Sequence, residues 1–68
     1  MNEIIFVVEE APEGGYVARA LSASIFTEAD DLVQLRESVR EAVACHFEDA
    51  DRPAIIRLHF TREEVIAA

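Results

Sequence analysis

Cys45 and His46 stand side by side, and His59 is the only other imidazole in the chain. Thiolate and imidazole are the ligands zinc takes, and a thiol beside a base is the start of a nucleophilic pair. The spacing argues against both chemistries. Neighbouring residues on a helix project about 100° apart, so the two side chains diverge. Structural zinc wants four convergent ligands, and with Cys45 the sole cysteine there is no Cys-x-x-Cys. Helical phase instead places His46 in the apolar arc near a helix end, where a half-buried imidazole gains from the helix dipole.

Four carboxylates form the other candidate set. Glu9 and Glu10 close an apolar run, and Asp30 and Asp31 open a helical one. Such groups could hold the two divalent ions of a nuclease, the more so because a β-β-β-α-β element order is part of an RNase H-like sheet. Helix capping and solvation account for them with less machinery. With no nucleophile–base pair, ligand cluster or cofactor motif, the chain is expected to be non-enzymatic and to bind no cofactor or metal.

What remains is surface chemistry. Arg57 and His59 share one face of a strand with Ile55, a mixed polar and apolar contact surface on an uncovered sheet face. Tyr16, with Ala18 and Ala20, is expected to join them, since Arg and Tyr are enriched where proteins meet. Glu37, Glu41 and Glu48 form an acidic outer face behind the apolar stripe of a helix.

The elements that position these residues are few. Residues 4–9 (IIFVVE) are a β-branched and aromatic run, suited to a central strand or one buried on both faces. Ala11-Pro12-Glu13-Gly14-Gly15 is dense turn chemistry, and residues 16–21 alternate, so the two runs make a hairpin with a loop longer than two residues. After the small polar break Ser22-Ala23-Ser24, residues 25–27 read as a short third strand. Asp31 is the expected N-cap, with Gln34 at the capping-box position. Leu32, Leu35, Val39, Ala42, Val43 and Phe47 then recur at helical spacing. Pro53 prevents continuation of that helix. Residues 54–60 are the last strand, with Ile56, Leu58 and Phe60 on one side and Ile55, Arg57 and His59 on the other. Thr61 and Glu64 have capping-box spacing and predict a helical turn in the tail.

The order is β-β-β-α-β, an α+β fold. A helix leaving the third strand returns to its sheet by a right-handed crossover. The vacant neighbour of the first strand is its landing place. The expected sheet is therefore mostly antiparallel, ordered 3-2-1-4, with the last strand parallel to the first and one helix on one face. Residues 1–68 form a single domain near the lower size limit for a self-sufficient core, so burial through self-association, as a dimer or higher oligomer, is expected.

Composition bounds the partners. Six Arg, no Lys and fourteen acidic residues give a net charge of −8. Phosphate backbones attract the opposite footprint, so no direct nucleic-acid binding is expected and a basic protein is the electrostatic complement. An apolar fraction of 51% suits a folded domain. The lone cysteine, with no leader pattern and no membrane-length apolar run, leads to the expectation of a cytoplasmic protein.

Glu13-Gly14-Gly15-Tyr16-Val17-Ala18, then Thr27, then Asp31-Leu32-Val33-Gln34-Leu35 resemble the HicB-like antitoxin family. The likeness covers roughly the first fifty residues, and the element order extends it to Phe60. Two departures stand out. Residues 21–26 (LSASIF) replace a Pro-Gly-Cys-type element, and the usual C-terminal helix-turn-helix or ribbon-helix-helix segment is missing. The resemblance therefore implies the fold and toxin binding, without operator binding. The chain is also similar to short single-domain relatives of that family, some bearing a 2-oxoisovalerate dehydrogenase name, but it holds no thiamine-diphosphate motif. The expected function is a protein-interaction module that neutralises a basic HicA-like mRNA interferase by covering its RNA-binding surface. The alternative is a structural or regulatory homo-oligomer that binds a small molecule or another protein.

Overall fold

A computed structural model describes residues 2–68. The expected order is observed: β1 (Glu3–Glu10), β2 (Tyr16–Ala20), β3 (Phe26–Ala29), α1 (Leu32–His46) and β4 (Ile55–Phe60). These strands form one sheet ordered β3-β2-β1-β4. β1 is antiparallel to β2 and parallel to β4, with Phe6 opposite Ala20 on one side and Leu58 on the other. β3 closes the opposite edge antiparallel to β2.

Alternation along β1 decides what is inside. Side chains on a strand point to opposite faces in turn, and Ile4, Phe6 and Val8 are buried while Ile5 and Val7 are only half-buried. β1 is thus central in its sheet but covered on one face. Ala18 and Ala20 of β2, Ile25, and Leu35, Val39 and Val43 of α1 complete the core. The two alanines matter geometrically: with only a methyl to accommodate, α1 settles over β2 and β3. Ile56 and Leu58 of β4 pack only partly against the core.

The hairpin loop is the predicted Ala11-Pro12-Glu13-Gly14-Gly15. The Gly14 N–H donates to the Ala11 carbonyl at 3.0 Å, and the Ala11 N–H to the Gly15 carbonyl at 3.0 Å. At the start of α1 the Asp31 carboxylate accepts from the Gln34 N–H at 2.8 Å, satisfying one of the donors a helix leaves open. Asp31→Ala is expected to lower stability by about 1 kcal/mol, which a thermal melt reads as a fall of roughly 4–8 °C for a domain of this size. An unchanged midpoint would mean that water replaces the cap without loss.

Two expectations need correcting here. The tail after Phe60 has no helical turn and no other regular secondary structure. Its intended cap is already engaged, because the Thr61 N–H and hydroxyl both donate to the Val8 carbonyl, at 2.9 and 3.2 Å. His46 is exposed, whereas helical phase placed it half-buried. It lies in the last turn, where Phe47 closes the core and meets the imidazole edge-on at 4.9 Å between ring centres. No helix among the described residues is long and apolar enough to cross a membrane.

Candidate functional site

The helix covers one face of the sheet, so the other face is defined by strand parity and register alone. Phe26, Arg19, Val7 and His59 form one cross-strand row. Glu28, Val17 and Glu9 form the row on one side of it. On the other side Leu21 donates its N–H to the Ile5 carbonyl, and Ile5 pairs with Arg57. Ile55 lies opposite Glu3 at the far end. Phe26, Leu21 and Ile55 are exposed there as large apolar side chains.

Ile55, Arg57 and His59 are therefore brought together on the open face, as their alternation predicts. Arg57 does not hang free. Its Nε donates to the Glu3 carboxylate on the same face, and that pair raises the affinity of the guanidinium for its proton. Arg19 stands in the middle of this surface, exposed and without an ion pair among the described residues. Residue type and alternation alone do not assign Arg19, Phe26, Ile5 and Val7 to this surface. Only register shows that they share one row or adjacent rows with His59 and Arg57.

Tyr16 is on the other side. It shares its face with Ala18 and Ala20, which are buried beneath α1, and it packs against the core itself. Its expected place beside Arg57 is thus overturned. Choosing by apolarity alone favours Val17 and Leu21 for the core, but a close helix needs the small residues. Tyr16 instead joins Glu37 around a shallow recess of about 700 Å³ between the hairpin loop, β3 and the first half of α1, with Val33 and Gln34 on its wall.

The acidic face is narrower than expected. Glu37 and Glu41 are exposed on α1, but Glu48 lies beyond the helix, which ends at His46. Arg36 and Arg40 occupy the flank of the helix that faces β4. Arg40 pairs with Glu37 at 2.7 Å, and both ends of that pair are largely exposed. The polar arc is therefore divided, basic toward β4 and acidic away from it. Glu48, Asp49 and Asp51 are exposed in the loop that follows, where Asp49 pairs with Arg52 at 2.8 Å on the β4 side.

The reactive residues do not converge. Cys45 and His46 are exposed at the end of α1, on the helix side, while His59 belongs to the opposite face of the sheet. Asp31 is occupied as a cap. Among the described residues no group of three or more His, Cys, Asp or Glu side chains is placed to hold a metal ion.

No family profile and no solved structure matches the chain. Two curated proteins do. A UPF0150 protein of Archaeoglobus fulgidus is 54% identical over 55 residues, which cover 81% of this chain and 82% of the relative. A UPF0150 protein of Thermotoga maritima is 36% identical over 66 residues, covering 97% and 93%. Likeness at that level, over nearly the whole sheet-and-helix unit, identifies the chain as a member of the UPF0150 family.

Proposed function

We propose that this protein is a non-enzymatic protein-interaction module, and that its partner is a small basic protein of the HicA-like mRNA-interferase class. The observation that carries the reading is the four-stranded sheet with a helix on one face only. Its other face displays Phe26, Leu21 and Ile55 with Arg19, Arg57 and His59 among them. An apolar surface rimmed by charge is the composition of a docking face. The choice of a basic partner rests on the net charge of −8 and on the exposed acids Glu37 and Glu41 of α1 and Glu48 and Asp51 of the loop that follows it. The toxin class comes from the HicB-like pattern around Gly14, Gly15 and Tyr16. Separation of Cys45 and His46 from His59 supports the non-enzymatic part.

The mechanism is steric and electrostatic. Acidic side chains steer a basic surface into encounter, and the docked domain covers the groove through which that surface would take RNA. Co-expression with a HicA-like toxin is expected to give co-purification and restored growth. Glu37→Lys with Glu41→Lys is expected to slow association about tenfold or more at low salt, with the difference shrinking as salt rises. Failure to co-purify, with toxicity undiminished, would show that the toxin is not the partner.

A further inference from the structure

The groove between α1 and β4 collects charge that the rest of the fold does not use. It has a volume of about 640 Å³, an apolar floor of Val39, Val43, Ile56 and Leu58, and a rim that includes Arg36, Arg40 and Arg52. Half of the chain's six arginines thus surround one groove in a protein of net charge −8. Arg36 and Arg40 are one helical turn apart, where like charges repel. Arg36 has no ion pair among the described residues, and Arg40 and Arg52 are held only by exposed neighbours three residues away, Glu37 and Asp49. Such exposed pairs are weak and exchange readily.

A segment with the complementary chemistry is present in the same chain. Residues 61–68 (TREEVIAA) leave the end of β4 without regular secondary structure and exposed throughout. Val65 is 93% exposed and Ile66 79%. Two acids, Glu63 and Glu64, stand between Arg62 and these two apolar residues, leaving the segment net acidic by one charge, opposite in sign to the basic rim above the apolar floor. Beyond the anchored Thr61, seven residues can span about 23 Å when extended, comparable to the roughly 22 Å of a fifteen-residue helix such as α1. The arm can therefore run the length of the groove.

It does not point into its own groove. The bonds from Thr61 to the Val8 carbonyl continue the line of β4 outward, whereas the groove lies back along β4, beside residues 52–58. Entering it in the same molecule would require the chain to reverse immediately after Thr61 and give up that anchor.

We infer that the groove between α1 and β4 receives residues 62–68 of a second copy of this chain. Glu63 and Glu64 meet Arg36, Arg40 and Arg52, and Val65 and Ile66 cover the partly exposed Ile56 and Leu58 beside the buried Val39 and Val43. A reciprocal exchange of arms makes a closed two-fold dimer, in which each copy gives and receives the same segment. The groove lies on the helix side of the sheet, so this inference and the docking of a toxin on the open face fail or succeed separately.

Sedimentation velocity on the full chain across a micromolar concentration series tests it. A dimer is expected, with Val65→Asp plus Ile66→Asp weakening it at least tenfold while circular dichroism and the thermal midpoint of the monomer stay unchanged. Arg36→Glu plus Arg40→Glu is expected to weaken it similarly, and adding Glu63→Arg plus Glu64→Arg to that variant is expected to restore it. A monomeric wild-type chain would overturn the inference. So would a dimer indifferent to the arm substitutions, which would place the contact on the open sheet face.

Discussion

Phe6→Ala is expected to leave the chain largely unfolded at 25 °C, while Phe26→Ala leaves it folded. The two residues have the same side chain in one sheet but differ in the face they occupy and in position, Phe6 on the central β1 and Phe26 at the start of the edge strand β3. Phe6 is 0% exposed at the centre of β1, between Ala20 and Leu58 and beneath α1. Phe26 is 63% exposed on the open face of β3. Removing a buried Phe costs about 3–5 kcal/mol, part transfer free energy and part cavity. A single core in a chain this short rarely supplies more than about 3–5 kcal/mol, so the loss is comparable to all of it. Ala18 and Ala20 have no side-chain length with which to fill the space. Urea titration followed by circular dichroism is expected to give a midpoint near zero denaturant for Phe6→Ala and one close to wild type for Phe26→Ala. Equal losses at the two positions would mean that the open face is as deeply packed as the core.

Much of this architecture is legible in the residues, because a few of them leave no alternative. Asp31 and the Leu35, Val39 and Val43 spacing place the helix. A single crossover then puts β4 beside β1, and the alternation of Ile56 and Leu58 with Ile55, Arg57 and His59 assigns its two faces. Where the structure departs from residue pattern, the cause is physical as well. Parity puts Tyr16, Ala18 and Ala20 together, but the side that faces α1 is decided by how closely the helix can approach, which hydropathy does not encode. The helical phase of His46 is sound, yet a residue in the last turn has run past the sheet that would bury it. Thr61 has a capping pattern, but the Val8 carbonyl, 53 residues away, takes its hydroxyl. The basic flank of α1 could have been found from Arg36 and Arg40 alone. That Arg52 completes it, and that Ile56 and Leu58 floor it, follows only from the position of the helix across the sheet.

The two adjacent glycines of the hairpin loop provide the second large effect, and they are not equivalent. Both adopt positive φ, +100° at Gly14 and +81° at Gly15. Such values cost a residue with a Cβ about 1–2 kcal/mol. At Gly14 that is the whole penalty, since a Cβ there would meet nothing within 4 Å. At Gly15 the added Cβ would lie 2.7 Å from the Ala29 carbonyl oxygen and 3.4 Å from the Asp30 Cα. Both are backbone atoms at the junction of β3 with the start of α1, and they cannot rotate away as a flexible side chain would. The Gly15 carbonyl also accepts from Ala11 to close the loop, so relief by moving the loop breaks that bond. Gly15→Ala is therefore expected to cost at least about 2 kcal/mol, and Gly14→Ala about 1 kcal/mol. In thermal melts these become falls of roughly 8 °C or more and roughly 4–8 °C. Gly14→Asn is expected to be milder than Gly14→Ala, because Asn tolerates left-handed backbone, whereas Gly15→Asn retains the contact and is not rescued. If the two alanine variants melt together, the close approach to Ala29 is not what demands glycine, and backbone angle alone accounts for the pair. If Gly15→Ala is the worse and Gly15→Asn gives no recovery, the hairpin loop is a packed joint that holds β3 and the start of α1 against β2, and the recess shared by Tyr16 and Glu37 depends on it.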